Sequence, residues 1–550
     1  MSPTHVHNIS PPSLSQLFNK HTFSNKTFTE RMKYFSLSLF LLGVASIGAT
    51  VEKNEEMKNS LRGMGRTLMD GGNGGGRSGG RGKGPPSGGR GKGPPSGGNN
   101  NPPRGPPSGP PRGPRNTPEP TPVPTPAPTP VPTPAPIPVV PGVTRSVWQD
   151  GTAGADQIST STLVGDTLVL AGFTTSTYSG TSAGRNDAVA VGFASSQPDV
   201  PVWTWQGGSS TNDEILTSTT IDSNTFILGG YSIGDFDDNG YIGSKDAIAI
   251  CMKILADNSV VELWRWQGGT TLLDDVRSST LIGSTTVVLV GHTSGDFDGA
   301  GNRGSSDVFA VAIDFSSGIG VELWRWQDGT SAIDQAFTST LIDSNTLVIG
   351  GHTTGDFDGN GNTGNDAFAV GIDISSGVGV TTWKWQGGSV SSDTIETSVL
   401  VDSNTVVFSG TTQGDFDGEG KRGSRDAFSV AIDRDGGELW RWQDGSISSE
   451  SVKSSVLVGS NTLILSGTTY GDVDGDGTRG REDAFAIGID MSSGDGVTMW
   501  KWQDGTSLID RIETSVLIDS NTLVIGGTTL GNLDGNNKGD RDFASFTIDV

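Results

Sequence analysis

The chain has a single cysteine, Cys251, in 550 residues. That excludes any internal disulfide, any cysteine cage for a metal and any paired redox centre. Histidine is nearly as scarce. Beyond residue 142 only His292 and His352 occur, at the same place in two neighbouring sequence repeats, GHTSGD and GHTTGD; they read as polar strand ends. No HExxH, CxxC or P-loop run is present. No stretch of 143–550 keeps a helical apolar period. Long apolar runs are missing too. FSLSLFLLGVASIGAT, at 35–50, has an apolar core too short to span a bilayer as a stable helix. Positive charge is scarce in the larger part of the chain: residues 143–550 carry 21 Lys and Arg against 55 Asp and Glu, a net of −34. A body so acidic is no partner for nucleic acid, and bound cations would relieve its self-repulsion.

Residues 1–142 have the opposite balance, 16 Lys and Arg against 6 acids. Met32-Lys33-Tyr34, the apolar run and the small residues after it have the layout of a secretory signal peptide, placed at 32–50. Residues 1–31 are then a leader or an extension ahead of a true start at Met32. From 51 to 142 the chain is Gly/Arg-rich, with GGRGKGPPS twice in succession, and then Pro/Thr-rich, TPEPTPVPTPAPTPVPTPAPIP. Neither stretch has apolar surface to bury, so a disordered stalk is expected: flexible coil, then an extended polyproline rod. The Pro-Thr half resembles the linkers of algal and microbial cell-wall proteins. No membrane span remains once the signal is removed.

The rest of the chain repeats itself. Aligned on the tryptophan before glutamine, the repeats fall at Trp148, Trp205, Trp266, Trp326, Trp385, Trp442 and Trp502, and all 13 tryptophans belong to this one element. Eight residues after each tryptophan stands an acid: Asp156, Asp213, Asp274, Asp334, Asp393, Glu450 and Asp510. Each repeat reads as four strands, bounded by Gly, Asp, Asn and Ser; over 323–383 these are LWRWQDG, AFTSTLI, NTLVIGGHT and DAFAVGID. A single four-stranded unit cannot bury both faces, whereas seven stacked radially close a ring. The fold class is therefore all-β: a seven-bladed β-propeller of four-stranded blades over 143–550, expected to be monomeric. The repeats start on the aromatic strand and run out on DFASFTIDV, so the first strand should complete the last blade. The paired tryptophans, at i and i+2, point to one side of a strand and are expected to pack between blades. Cys251 stands where other repeats have Val or Ala and should be a small buried hydrophobe.

The pattern D…SxL…NTLVIGG…DAFAV…ID…WxWQ(D/G)G resembles the seven-bladed propeller repeats called SBBP repeats. The resemblance covers 143–550. It implies the fold and little about activity.

Between the second and third strands of most repeats lies a loop opening GDFDG. In DVDGDGTRGRED, Asp472, Asp474, Asp476 and Asp483 fill positions 1, 3, 5 and 12 of a calcium loop, with glycine at 6. Asp235, Asp237, Asn239 and Asp246 match equally well. Asp415, Asp417, Glu419 and Asp426 keep the same places. Asp296, Asp298 and Asp307 have Ala300 at position 5, and Asp356, Asp358, Asn360 and Asp366 form a loop one residue shorter. Alternate carboxylates on a curling loop point at one centre, which is what calcium requires. Flanked by strands, these loops resemble the calcium loops of integrin-type propellers. A polar turn whose last acid caps the next strand would have the same sequence. The expected function is a secreted or surface-associated, calcium-stabilised binding or adhesion scaffold for polysaccharide or protein. The alternative is a carbohydrate-active enzyme, a glycosidase or lyase. An enzyme should break the seven-fold symmetry with one unique cluster in a central pocket, and the sequence displays none. Ligand is expected on the face carrying the acidic loops, since the turns opposite look too small to shape a pocket.

Overall fold

The computed structural model describes residues 139–361 and 364–550. The leader, the signal and the stalk up to residue 138 lie outside the described residues. Within them, 28 strands form seven four-stranded antiparallel sheets, and no helix is long and apolar enough to cross a membrane. Blades 1 to 6 are continuous in sequence: 156–207, 213–268, 274–328, 334–387, 393–444 and 450–504. Blade 7 takes three strands from 510–549 and its outermost strand from Thr144–Asp150. The register there pairs Ser146 with Thr547, Trp148 with Ser545 and Gln149 with Ala544. The expected strand exchange therefore closes the ring.

In blade 4 the inner strand, Asp334–Asp343, alternates buried and half-buried residues, as a strand with one face toward the axis should. The second and third strands, Thr346–Thr353 and Asp366–Asp373, are buried almost throughout because neighbouring blades cover both faces. The turn between the inner and second strands is held by Asp343, whose carboxylate accepts from the Asn345 N–H at 2.8 Å. The turn into the outer strand uses Gly377 at φ +77°, a left-handed conformation that favours glycine.

Every inner strand carries a β-bulge at the same place, on Ser159, Leu216, Arg277, Phe337, Glu396, Lys453 and Glu513. The bulged backbone presses on the second strand, which is why that strand has an invariant glycine opposite. A Cβ on Gly351 would overlap the Gln335 carbonyl oxygen. Bulges re-aim side chains, and those of Arg277, Phe337, Glu396, Lys453 and Glu513 interact with one another from blade to blade around the axis.

The tryptophans do pack between blades. Trp324 and Trp326 of blade 3 share a core with Ala336, Leu347, Phe357 and Phe368 of blade 4. The same contact crosses the closure, where Trp148 meets Phe193 of blade 1 edge-on at 4.9 Å. The Trp502 Nε1–H donates to Thr144 Oγ1 at 3.1 Å. Cys251 is buried in one of these interblade cores, as its sequence context predicts.

Candidate functional site

The face bearing the long loops is assembled from two elements per blade. One is the loop between the second and third strands. The other is the segment leading from an outer strand to the next blade's inner strand. Short parallel bridges such as Lys245–Leu273 and Ser306–Ile333 join them, and the Asp274 N–H donates to the Lys245 carbonyl at 2.8 Å. Both elements thus emerge on one face, as expected.

The glutamine after each tryptophan organises this face. Gln267 donates from Nε2 to the Gly234 carbonyl at 2.8 Å and to Asp246 Oδ2 at 2.7 Å, and its Oε1 accepts from the Phe236 N–H at 2.6 Å. Gln327 and Gln386 repeat the pattern, and Gln149 repeats it across the closure. In sequence this glutamine served only as an alignment mark; its presence in all seven repeats was the signal of a role.

The loop acids divide into two sets. Position 1 curls the turn: Asp235, Asp296, Asp356 and Asp415 accept from the N–H of Gly240, Gly301, Gly361 and Gly420 at 2.8–3.0 Å, and Asp472 accepts from Gly475 at 2.8 Å. Position 3 accepts from the N–H two residues on: Asp237 from Asn239, Asp298 from Ala300, Asp358 from Asn360, Asp417 from Glu419 and Asp474 from Asp476. Asp417 and Asp474 also meet Arg422 and Arg479, at 3.4 and 3.0 Å. All these donors are oxygen, the chemistry calcium prefers. Among the described residues, however, no three His, Cys, Asp or Glu side chains converge as a metal-ligand set.

The acids at position 12 lie elsewhere. Asp246, Asp307, Asp366, Asp426 and Asp483 open the third strands and are buried. Each gives one oxygen to the glutamine side chain and faces the junction with the next blade. Across that junction is the acid that opens the next inner strand. Asp274 accepts from the Thr270 N–H at 2.6 Å and from Thr293 Oγ1 at 2.6 Å. Burial pushes its carboxyl above the ordinary range, and the charge on Asp246 adds to the effect. Asp156, Asp334, Asp393, Glu450 and Asp510 are raised for the same reasons.

The wall of the central channel corrects one expectation. The seven bulge positions are equivalent in structure but carry Ser, Leu, Arg, Phe, Glu, Lys and Glu, so the repeat is broken there and a unique cluster does exist. Lys453 of blade 6 donates to Glu396 Oε2 of blade 5 at 3.3 Å, and it interacts electrostatically with Glu513 of blade 7 and Arg277 of blade 3. Blades 3 and 6 are not neighbours, so these two charges act on one another across the axis. Enclosure in the channel pushes the Glu513 carboxyl up. The Arg277 guanidinium lies 5.9 Å from the Phe337 ring centroid, and Phe337 stacks on His352 at 5.5 Å. His292 is buried 3.8 Å from Asp275, which also binds Lys245 and Arg277 at 2.8 Å. The inner strands begin at the loop face, so this cluster stands just inside the mouth of the channel on that face. It was missed because six residue types at one aligned position look like drift until the bulge shows that they share a place.

A second expectation also needs correction. The face opposite the loops does shape a cavity, of about 560 Å³, lined by Val401, Asp402, Trp440, Asn461 and Met491. It forms where the turns of two blades leave the Trp440 ring only partly buried. On the loop face, Asp417, Glu419, Arg422 and Arg441 line a cleft of about 490 Å³.

No family model and no curated protein matches the chain. Among solved structures it is similar to a protein from Lactobacillus plantarum, at 12% identity and a TM-score of 0.35, covering 64% of this chain and 86% of that one. It is also similar to a hypothetical selenium-binding protein from Sulfolobus tokodaii, at 9% identity and a TM-score of 0.41, covering 66% and 82%. At these scores neither similarity bears on function.

Proposed function

We propose that the protein is a secreted or cell-wall-associated, calcium-stabilised binding scaffold that takes polysaccharide, or a glycosylated surface protein, at the loop face and the mouth of the channel. The observation that carries this reading is the break in repeat symmetry at the bulge positions. A purely structural ring has no use for six kinds of side chain at seven equivalent places, whereas a ligand site does. Arg277, Lys453, Glu396, Glu513 and Phe337 offer charged donors, acceptors and one ring face, a set suited to hydroxyl-rich and carboxylated sugars. The acidic surface would repel anionic polymers unless cations screen it, which ties binding to calcium. In a glycan array run with the full chain in millimolar calcium and in chelator, binding is expected in calcium and weakened in chelator. No glycan or surface glycoprotein bound in either condition would sink the reading.

One observation favours the second reading, a carbohydrate-active enzyme. Glu396 and Glu513 both interact with Lys453, and burial raises the Glu513 carboxyl, as it does the general acid of sites that use two carboxyls. Chain shortening of a bound polysaccharide by the wild type, abolished in Glu513→Gln with binding retained, would establish it.

A further inference from the structure

If the propeller takes up calcium, the blade junctions are better built to hold it than the loop tips. Asp246, Asp307, Asp483 and Asp542 are each at most 1% exposed. In each, one carboxylate oxygen is held by the blade's glutamine, and the other, Oδ1, has no hydrogen-bond partner. Among the described residues no salt bridge reaches these acids or the acids that face them. Removing a carboxylate from water without pairing it is expensive, so four recurrences of the same orphaned oxygen point to something that binds there.

What surrounds these oxygens is more oxygen. A Cβ built on Gly243 would lie 2.8 Å from both Asp246 Oδ1 and the Leu272 carbonyl, and nearer still to the Thr270 carbonyl. One built on Gly480 would lie 3.0 Å from Asp483 Oδ1 and 2.7 Å from the Leu508 carbonyl, with the Thr506 carbonyl nearer. At the closure, one on Gly151 would lie 2.6 Å from Asp542 Oδ1 and 2.7 Å from Asp156 Oδ2. These oxygens converge so closely on the glycines that no side chain could stand among them. A hard divalent cation prefers such a set: carboxylates from two elements and backbone carbonyls, with no nitrogen or sulfur.

Two junctions serve as internal controls. In blades 1 and 5 the corresponding oxygen is capped by a backbone N–H: Asp187 Oδ1 accepts from Gly184 at 2.7 Å and Asp426 Oδ1 from Gly423 at 2.7 Å.

We propose that four blade junctions, 2–3, 3–4, 6–7 and 7–1, each bind one calcium ion between the acid opening a third strand and the acid opening the next blade's inner strand. A cation there bridges consecutive blades, so it stabilises the ring itself. This rests on the reading that the propeller binds calcium.

The test counts calcium on the full chain by equilibrium dialysis and emission spectroscopy, for the wild type and four variants. Asp246→Asn and Asp483→Asn keep the bond to glutamine but turn an amide toward the junction. Each should lower the count by one, from four to three. It should also raise the melting temperature in chelator, because an unpaired charge is gone, while reducing the gain on adding calcium. Asp426→Asn and the loop-tip variant Asp237→Asn should leave the count at four. The inference is overturned if Asp237→Asn lowers the count and Asp246→Asn does not, even though calcium binding itself survives. A wild type that binds no calcium overturns both this and the reading beneath it. A variant that fails to fold would show as loss of the far-UV spectrum; the Asp483→Asn count then decides in place of Asp246→Asn.

Discussion

At the residue scale, small polar groups in repeated places set the form of the functional face. Gln327 joins the loop backbone and Asp307 through three buried hydrogen bonds. Gln327→Ala strands all three partners, and a loss of about 2–4 kcal/mol is expected by denaturant titration. A change under about 0.5 kcal/mol would show that the glutamine is a passenger. The histidines give a pH prediction. Burial holds His292 and His352 down at about 4, although Asp275 pulls His292 up and Arg277 and Lys245 push it down. The unfolded chain takes up these protons below about pH 6.5 and the folded chain does not. Stability is therefore full above that pH and is lost as the pH falls toward 4. By about pH 5 the loss through His292 should be about 2 kcal/mol. The double variant His292→Thr with His352→Thr, carrying the residue found in other repeats, should lose stability less steeply between about pH 7 and pH 5; an unchanged slope would contradict the assignment.

At the scale of the strand and the blade, the bulge in each inner strand links the core to the channel wall. Gly351→Ala would drive a Cβ into the Gln335 carbonyl and force the strands apart, at an expected cost of about 3 kcal/mol or more by thermal or denaturant melting. Full stability in that variant would refute the tight fit. The closing strand is a second lever. Deleting 144–150 removes Trp148 and the whole outer edge of blade 7, and should cost several kcal/mol, about what an aromatic core truncation costs plus a strand ladder. A melting curve matching the full chain would deny the closure its role. These elements were legible in the sequence to different degrees. The WxWQ spacing, the NTLVIGG strands and the phase of the repeats were enough for blade number, strand order and closure, because burial on both faces leaves a strong apolar pattern. The bulge left none: Arg277, Phe337, Glu396 and Lys453 share a position through backbone geometry, and the alignment shows four unrelated residue types. Asp246 and its equivalents were read as the end of a loop, since sequence spacing cannot tell which side of a strand's first residue its carboxylate faces.

At the scale of the whole molecule, a ring of seven near-identical blades positions one non-repeating cluster, with the long loops gathered around it. The repeat supplies rigidity through interblade tryptophans, and the axis is the one place where all blades meet. Variation at the bulge can therefore change the chemistry of the channel wall without disturbing the packing. The measurement that tests this most directly is ligand binding by two variants of the full chain against the wild type, using whichever polysaccharide the array identifies. One variant alters the channel mouth, Lys453→Met with Phe337→Ala. The other alters the opposite turns, Asp343→Gly with Asp402→Gly. A fall in affinity of tenfold or more, about 1.4 kcal/mol, is predicted for the channel variant, with the turn variant unchanged. Binding lost in the turn variant and kept in the channel variant would contradict it.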